Sequence, residues 1–330
     1  MSDALNHYFC GTEVINNLNP EIKAIVDKNL FFLGTQGSDM FFYYNILYWN
    51  NPVPFGNIIH HKRINLFFYN FFKFLSEQDN TIIKNKILSY IFGFTCHHSL
   101  DYITHPFIIY RSGIYDKSNK ETSVFQYMHK KYEVLLDVAL LKYKYDIDAV
   151  KFKFNDIFTL KKNNIEIIQN LYDFALKNTY NLEANPNVLL RSINSERIIL
   201  NLLSNPKSIK TKLLTLFEKL FLNKGYITTA IYPKETDIDL VLNLNNSLWR
   251  HPCNNEIISN LSFIELFENA VNDATNKILK LYSLMEGIIK PENINSIYND
   301  ISYETGLDCN NSCELTYYDK DFVETLISLS

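Results

Sequence analysis

Residues 81–106 read TIIKNKILSYIFGFTCHHSLDYITHP and decide the fold class of this chain. Apolar residues recur in this stretch at the three- and four-residue spacing of an α-helix. The pattern predicts a long helix over residues 81–104. We place its end before His105-Pro106, because a residue that precedes proline is disfavoured in the α region.

Histidine and aspartate alternate with a helical period at the end of this stretch. His97, Asp101 and His105 are spaced i, i+4 and i+8. Residues four apart lie on one face of a helix, one turn from each other. His98 is rotated by about 100° from His97 and points elsewhere. The spacing therefore predicts a row of imidazole and carboxylate groups on one helix face.

A second group of this kind lies in a predicted helix over residues 124–144, where His129 and Glu133 are four apart and Asp137 follows one turn later. A lone pair with this spacing is usually a surface contact. However, seven of the eight histidines fall within the first 129 residues. Imidazole nitrogens and carboxylate oxygens are zinc ligands, and a carboxylate can bridge two ions. The two groups together indicate metal binding.

The rest of the chain also favours helices. Glycine and proline are scarce, at nine each in 330 residues, and few breakers favour long helices. Further helices are predicted over residues 20–29, 63–78, 163–178, 187–204, 208–223 and 262–286. Residues 30–57 read mostly as loop, and residues 225–235 as a short strand or extended loop. We predict an all-α fold, with one helical domain over residues 1–290, a metal site within residues 1–140, and a C-terminal extension over residues 291–330.

Net charge, targeting segments and cysteine content limit the partners and the cellular compartment that we expect. The net charge of −4 gives no electrostatic case for a nucleic-acid partner. We find no secretion signal and no transmembrane stretch, so we expect a cytoplasmic protein. Five scattered cysteines favour free thiols in a reduced compartment. Cys309 and Cys313, spaced C-x3-C, could instead form a disulfide or half of a metal site.

Five segments in order resemble the zinc-dependent phospholipase C family, in particular its intracellular-looking bacterial branch. The segments are His7-Tyr8, GTQGSDMFFYY at 34–44, GNIIH at 56–60, CHHSLDYITHPFI at 96–108, and HKKYE at 129–133. A weaker similarity to the family pattern near residues 249–267 suggests that the resemblance continues to about residue 286. The resemblance implies a multi-helix bundle of the architecture shared with fungal-type zinc single-strand nucleases.

The resemblance also implies two or three zinc ions, with iron or manganese as alternatives. The family's metal ligands fall on His7, Asp39, His60, His97, Asp101, His105, His129 and Glu133. One ion would be held by Asp39, His60, His97 and Asp101. A second would be held by His105, His129 and Glu133. His7 and a bridging Asp101 would help to hold a third, and Asp39 would also act as general base.

Some positions depart from the family pattern. Secreted members use the free amino terminus as a ligand, whereas Met1 here lies six residues before His7. Ser38 stands where the family has proline in the loop that directs Asp39. His61 is the alternative to His60 as a ligand.

Three kinds of function fit these residues. The first is a phospholipase C-like hydrolase, in which a metal-activated water attacks the phosphorus of a phospholipid or small phosphodiester. The second is a zinc nuclease or nucleotidase, because a fold does not decide its substrate. The third is a non-catalytic metal-binding protein. The sequence predicts no oligomeric state.

Overall fold

The computed structural model describes residues 4–44, 53–116, 118–158, 160–222, 227–287, 294–311 and 313–328. Within these residues most of the chain is helical, and the one sheet is small and two-stranded. The predicted all-α fold is confirmed. Among the described residues, every helix is too short or too polar to span a lipid bilayer.

The α-helices are α1 (Ala4–Asn17), α2 (Pro20–Ile25), α3 (Lys28–Gly34), α4 (Phe55–His61), α5 (Ile64–Ser76), α6 (Thr81–Ser112), α7 (Met128–Tyr145), α8 (Asn155–Phe158), α9 (Lys162–Tyr180), α10 (Val188–Leu203), α11 (Ile209–Phe217), α12 (Ile238–Leu242), α13 (Phe263–Met285), α14 (Ile294–Ile297) and α15 (Lys320–Ser328). Short 3-10 helices cover Asp39–Tyr43, Lys120–Tyr127, Ala149–Lys151 and Thr228–Ala230, and a π-helical segment covers Glu218–Leu222. Strands β1 (Trp249–His251) and β2 (Asn254–Ser259) pair antiparallel, with Trp249 opposite Ser259.

Helix α6 forms the centre of the molecule. The Asn80 side chain begins it by accepting hydrogen bonds from the N–H groups of Ile82 (2.9 Å) and Ile83 (3.2 Å), as N-cap residues do. Most residues from Ile87 to Ser112 are buried on all sides of the helix. Such a helix must be covered all round, and α1, α3, α7 and α13 pack against it. The histidine and aspartate row therefore lies in the interior.

The predicted end of this helix at residue 104 is wrong, because α6 continues through Pro106 to Ser112. Proline has no N–H, so the carbonyl of Tyr102 one turn earlier loses its usual donor. Packing around the central helix outweighs this local cost. Because the helix continues, His105 stays in register with His97 and Asp101.

Other elements agree with the sequence in part. Helices α5, α7, α9, α10 and α13 occur where they were predicted. The described part of residues 30–57 holds more helix than expected, since it contains most of α3, a 3-10 helix and the start of α4. The predicted helix over residues 20–29 is two helices, because Asp27 caps α3 by accepting from Asn29 and Leu30 N–H groups. No strand occurs in the described part of residues 225–235, and the sheet lies at residues 249–259.

Described residues from Ile294 onward pack against the central helices. The Tyr298 ring stacks on Phe68 with centroids 3.8 Å apart, and its hydroxyl lies 2.6 Å from Oγ1 of Thr95. Phe322 and Leu326 of α15 belong to the same hydrophobic core. These residues thus share the core of the preceding helices.

A disulfide joins Cys253, in the turn between β1 and β2, to Cys313 in the C-terminal segment, with Cα atoms 5.5 Å apart. The expectation of free thiols is wrong for these two residues, and Cys313 forms no pair with Cys309. Cys10, Cys96 and Cys309 are free. The sequence could not show the pairing, since connectivity depends on which loops meet in space.

Candidate metal centre

Four described segments converge on the middle of α6. Helix α1 carries His7, the 3-10 helix after Gly37 begins with Asp39, α4 ends with His60 and His61, and α7 begins beside His129. These segments meet because α1 and α7 both pack on α6, while the 3-10 helix contacts α4 and α10. The structure therefore brings together side chains from distant parts of the sequence.

The first group consists of His7, Asp39, His97 and Asp101, all of them buried. One donor atom from each lies within 4.8 Å of the others. Asp101 lies at its centre: Oδ1 is 3.2 Å from Nε2 of His7, and Oδ2 is 3.2 Å from Nε2 of His97. A carboxylate with imidazoles on both oxygens has the arrangement of a bridging ligand.

His60 borders this group and His61 does not. Nε2 of His60 lies 2.9 Å from Oδ1 of Asp39 and 3.7 Å from Oδ2 of Asp101. Its Nδ1 donates to the Gly56 carbonyl at 2.6 Å, which leaves Nε2 facing the carboxylates. The His61 side chain is 37% exposed, and its Nε2 lies 2.8 Å from Oε2 of Glu304.

The second group consists of His105, His129 and Glu133. Oε1 of Glu133 lies 3.4 Å from Nε2 of His105 and 3.0 Å from Nε2 of His129. The two imidazole rings stack with centroids 5.5 Å apart. His129 is 33% exposed, so this group opens toward solvent. Asp101 connects the two groups, with Oδ1 3.6 Å from Nδ1 of His105.

Gly37 allows the backbone before Asp39 to lie directly against His97. Its φ of +56° is in the left-handed region, and a Cβ atom there would overlap the His97 ring. Any other residue would meet both backbone strain and a steric clash. The next residue, Ser38, has Oγ 3.3 Å from Nδ1 of His60. The serine that replaces the family's proline thus contacts one of the histidines.

The donor set fits metal ions. Among the described residues, Nε2 of His97 and Oδ2 of Asp101 are buried without a hydrogen-bond partner. Each such atom would lower the stability of the folded state by about 1–3 kcal/mol, and native structures contain few buried polar atoms without partners. Both groups consist of nitrogen and oxygen donors with no cysteine, as in catalytic rather than structural zinc sites.

The pKa values follow from burial and close charges. Burial opposes ionisation of Asp101, but His97, His105 and His7 hold its pKa well below the usual range.

Burial alone would lower the pKa of His60, but Asp101 and Asp39 raise it to about 10. In the same way, Asp101 and Glu133 outweigh burial and raise the pKa of His105 to about 9. Burial lowers the pKa of His97 to about 4. Without metal, protons on His60 and His105 therefore offset the carboxylate charges.

Asp137, which follows Glu133 by one turn, does not join the second group. Its carboxylate accepts hydrogen bonds from the N–H groups of Leu5 (3.2 Å) and Asn6 (2.7 Å) and from the Tyr232 hydroxyl (2.6 Å). It therefore anchors the start of α1, the helix that carries His7. The periodicity placed Asp137 on the correct face, but its partner is the backbone of another helix.

Sequence reasoning did not identify Tyr303. His105 Nδ1 donates to the Tyr303 carbonyl at 3.0 Å, and the buried Tyr303 ring lies 4.7 Å from the His60 ring. Every residue has a backbone carbonyl, so the sequence cannot show which carbonyl accepts this hydrogen bond. No spacing rule relates residue 303 to residue 105.

A helical chain with two adjacent groups of buried imidazoles and carboxylates has the form of a helical metal-binding protein. The family model for zinc-dependent phospholipase C matches residues 6–183, more than half of the chain. The chain belongs to the zinc-dependent phospholipase C family, as its motifs predicted. The match contains all eight candidate ligands, and the weaker resemblance out to residue 286 stays a prediction. Searches of the curated proteins and of the solved structures gave no significant match.

Proposed function

We propose that this protein is a zinc-dependent hydrolase of phosphodiester bonds in phospholipids or related small molecules. The observation that carries the proposal is the arrangement of nitrogen and oxygen donors around Asp101. They are buried and lie within a few ångströms of each other, and Nε2 of His97 and Oδ2 of Asp101 form no hydrogen bond within the described residues. Membership of the zinc-dependent phospholipase C family supports the same reaction class.

Within this proposal, the two groups would hold separate ions, and Asp101 has contacts with residues of both groups. Asp39, His60, His97 and Asp101 would hold one ion, and His105, His129 and Glu133 a second. His7 and Asp101 would contribute to a third. Iron or manganese could also occupy such donors. A purely structural site is less well supported, because structural zinc sites are closed and cysteine-rich, whereas His129 is partly exposed.

The ions, when bound, would lower the pKa of a water molecule and stabilise negative charge on phosphate oxygens. Asp39 would accept the proton of the attacking water. Burial opposes its ionisation, but His97 and His60 keep the pKa of Asp39 well below its usual range, so it is a carboxylate at neutral pH. The buried walls around Asp39 and His97 would exclude other water from the reacting phosphate.

The first test is the metal content of the purified protein, measured by mass spectrometry beside Asp101→Ala and His129→Ala. We expect about two or three zinc-like ions per chain, with the largest loss in the Asp101 variant. His61→Ala is a matched control, since that imidazole points away from both groups. A wild-type protein that takes up no metal after reloading would contradict the proposal.

The second test compares substrates. Zinc-loaded protein is incubated with phosphatidylcholine vesicles, with a small phosphodiester and with single-stranded DNA, and phosphorylated products are measured. Release of phosphocholine or hydrolysis of the small diester supports the proposal. Cleavage of DNA alone would instead support the nuclease alternative, and no turnover of any substrate by metal-loaded protein would support a non-catalytic role.

A further inference from the structure

A C-terminal segment crosses the metal centre from outside the family match. We call residues 300–308 the strap. The Tyr303 N–H donates to the carbonyl of His60 at 3.1 Å, and the Tyr303 carbonyl accepts from Nδ1 of His105 at 3.0 Å. One residue of the strap thus contacts a histidine of each half of the site.

The next two residues of the strap also contact histidines. Oε2 of Glu304 lies 2.8 Å from Nε2 of His61. The Thr305 carbonyl accepts from Nε2 of His251, at the end of β1, at 2.8 Å. Three successive residues therefore form hydrogen bonds with four histidines.

The strap is held at both ends. Near its start, Oδ1 of Asp300 accepts from the first N–H of α5, that of Ile64, at 2.6 Å. The strap closes on itself where Ile301 pairs with Asp308. Gly306, with φ of +66°, packs on α6 so closely that a Cβ atom would lie 2.6 Å from the Tyr102 carbonyl. That carbonyl is the one that Pro106 leaves without its helical donor.

We propose that the strap is a positioning element of the metal centre, and that the Tyr303 carbonyl fixes the metal-binding nitrogen of His105. A hydrogen bond from Nδ1 to a carbonyl leaves Nε2 free to ligate, and such outer partners orient the ring. Nε2 of His105 is the atom that faces Glu133. The inference rests on the proposed function, because it assigns a role to the strap in holding metal.

The Tyr303 side chain supports the same role. It is fully buried, and its ring lies 4.7 Å from that of His98 and 5.7 Å from that of His97, measured between centroids. The ring therefore separates the first group from solvent on the strap side. Water excluded there cannot compete for the histidine nitrogens, and the electrostatic interactions inside strengthen.

Two glycine variants test the inference. Gly306→Ala drives a methyl group against the Tyr102 carbonyl and must displace the strap. Gly287→Ala is the matched control: its φ is +74°, but no atom of the described residues lies within 4 Å of the added atom. Both changes carry the strain of an alanine at positive φ, and only Gly306→Ala moves the strap.

Zinc affinity is measured against a chromophoric chelator, and exchange of the His105 Nδ1 proton is measured by NMR. We expect Gly306→Ala to weaken the most affected zinc by about 10- to 100-fold and to speed that exchange, while Gly287→Ala behaves as wild type. If the Gly306→Ala protein folds and binds zinc with wild-type affinity, the role of the strap is contradicted but the proposed function is not. Wild-type protein that takes up no metal would overturn the proposed function as well. If Gly306→Ala does not fold, exchange of the His105 Nδ1 proton is measured in the wild-type protein. Slow exchange supports the hydrogen bond to the Tyr303 carbonyl, and fast exchange overturns the inference.

Discussion

Oδ1 of Asp101 lies 3.2 Å from Nε2 of His7, although the two residues belong to separate helices, α6 and α1. The other carboxylate oxygen faces His97, and Oδ1 also lies 3.6 Å from His105. One buried carboxylate therefore touches both groups of candidate ligands. This arrangement makes Asp101 the residue on which occupancy of the whole centre should depend most.

The adjacent histidines of α4 should differ in their effect on metal binding. We expect His60→Ala to lose about one zinc equivalent, because its Nε2 faces Asp39 and an ion that loses one of its three or four protein ligands is held weakly. His61→Ala should keep the wild-type content, since His61 contacts Glu304 instead. Metal content by mass spectrometry checks both. The reverse result would make His61 the ligand.

Zinc uptake near neutral pH should release about two protons from the histidines. His60 and His105 have pKa values raised to about 10 and about 9, against burial, by neighbouring carboxylates. Both imidazoles carry protons below those values and must lose them to ligate. Affinity should therefore rise with pH until about pH 9 to 10. Calorimetry in buffers of different ionisation enthalpy measures the release, and a buffer-independent enthalpy would contradict the expectation.

Removing the disulfide should destabilise the protein. Cys253 and Cys313 are 60 residues apart, and a crosslink that closes such a loop contributes about 2–4 kcal/mol. The double variant Cys253→Ser, Cys313→Ser should lower the free energy of unfolding by about that amount, as measured by urea denaturation. Cys309→Ser, which changes a free thiol of the same region, is the control. Equal midpoints for both variants would show that the crosslink contributes nothing.

Asp137 should make stability fall as pH rises. Burial raises its pKa from 3.8 to about 7, despite the hydrogen bonds that it accepts. Because the folded pKa is the higher one, the folded state binds the proton more tightly, and this stabilising term is lost as pH rises between those two values. The full effect is roughly 4 kcal/mol. Asp137→Asn stays neutral and should remove this part of the pH dependence.

Denaturation curves of wild type and Asp137→Asn across that pH range measure the difference. Asp146→Asn is the control, because Asp146 lies at the exposed end of the same helix. If the difference in stability between wild type and Asp137→Asn does not change with pH, the buried carboxyl does not titrate as expected.

Some site features follow from local sequence alone. The shared face of His97, Asp101 and His105 depends only on the helical period, and the same holds for His129 and Glu133. The approach of His7, Asp39 and His60 to these rows was predicted only through the family resemblance. No spacing rule connects residues on different helices.

Other features had no sequence signal. Every residue has a backbone carbonyl, so nothing distinguishes Tyr303 before the chain is folded. The Cys253–Cys313 pair depends on where two distant loops meet. Pro106 gave a signal that was wrong, because the prediction counted the local cost of proline but not the packing around α6.

Local geometry and residue identity were enough to predict the helical class, the periodic rows of imidazole and carboxylate groups, and the family. Three features became visible only in the folded chain: His60 rather than His61 approaches Asp39, Asp137 anchors α1, and the strap crosses the site. These depend on how helices pack and on backbone atoms, whose partners are chosen when distant segments are buried together.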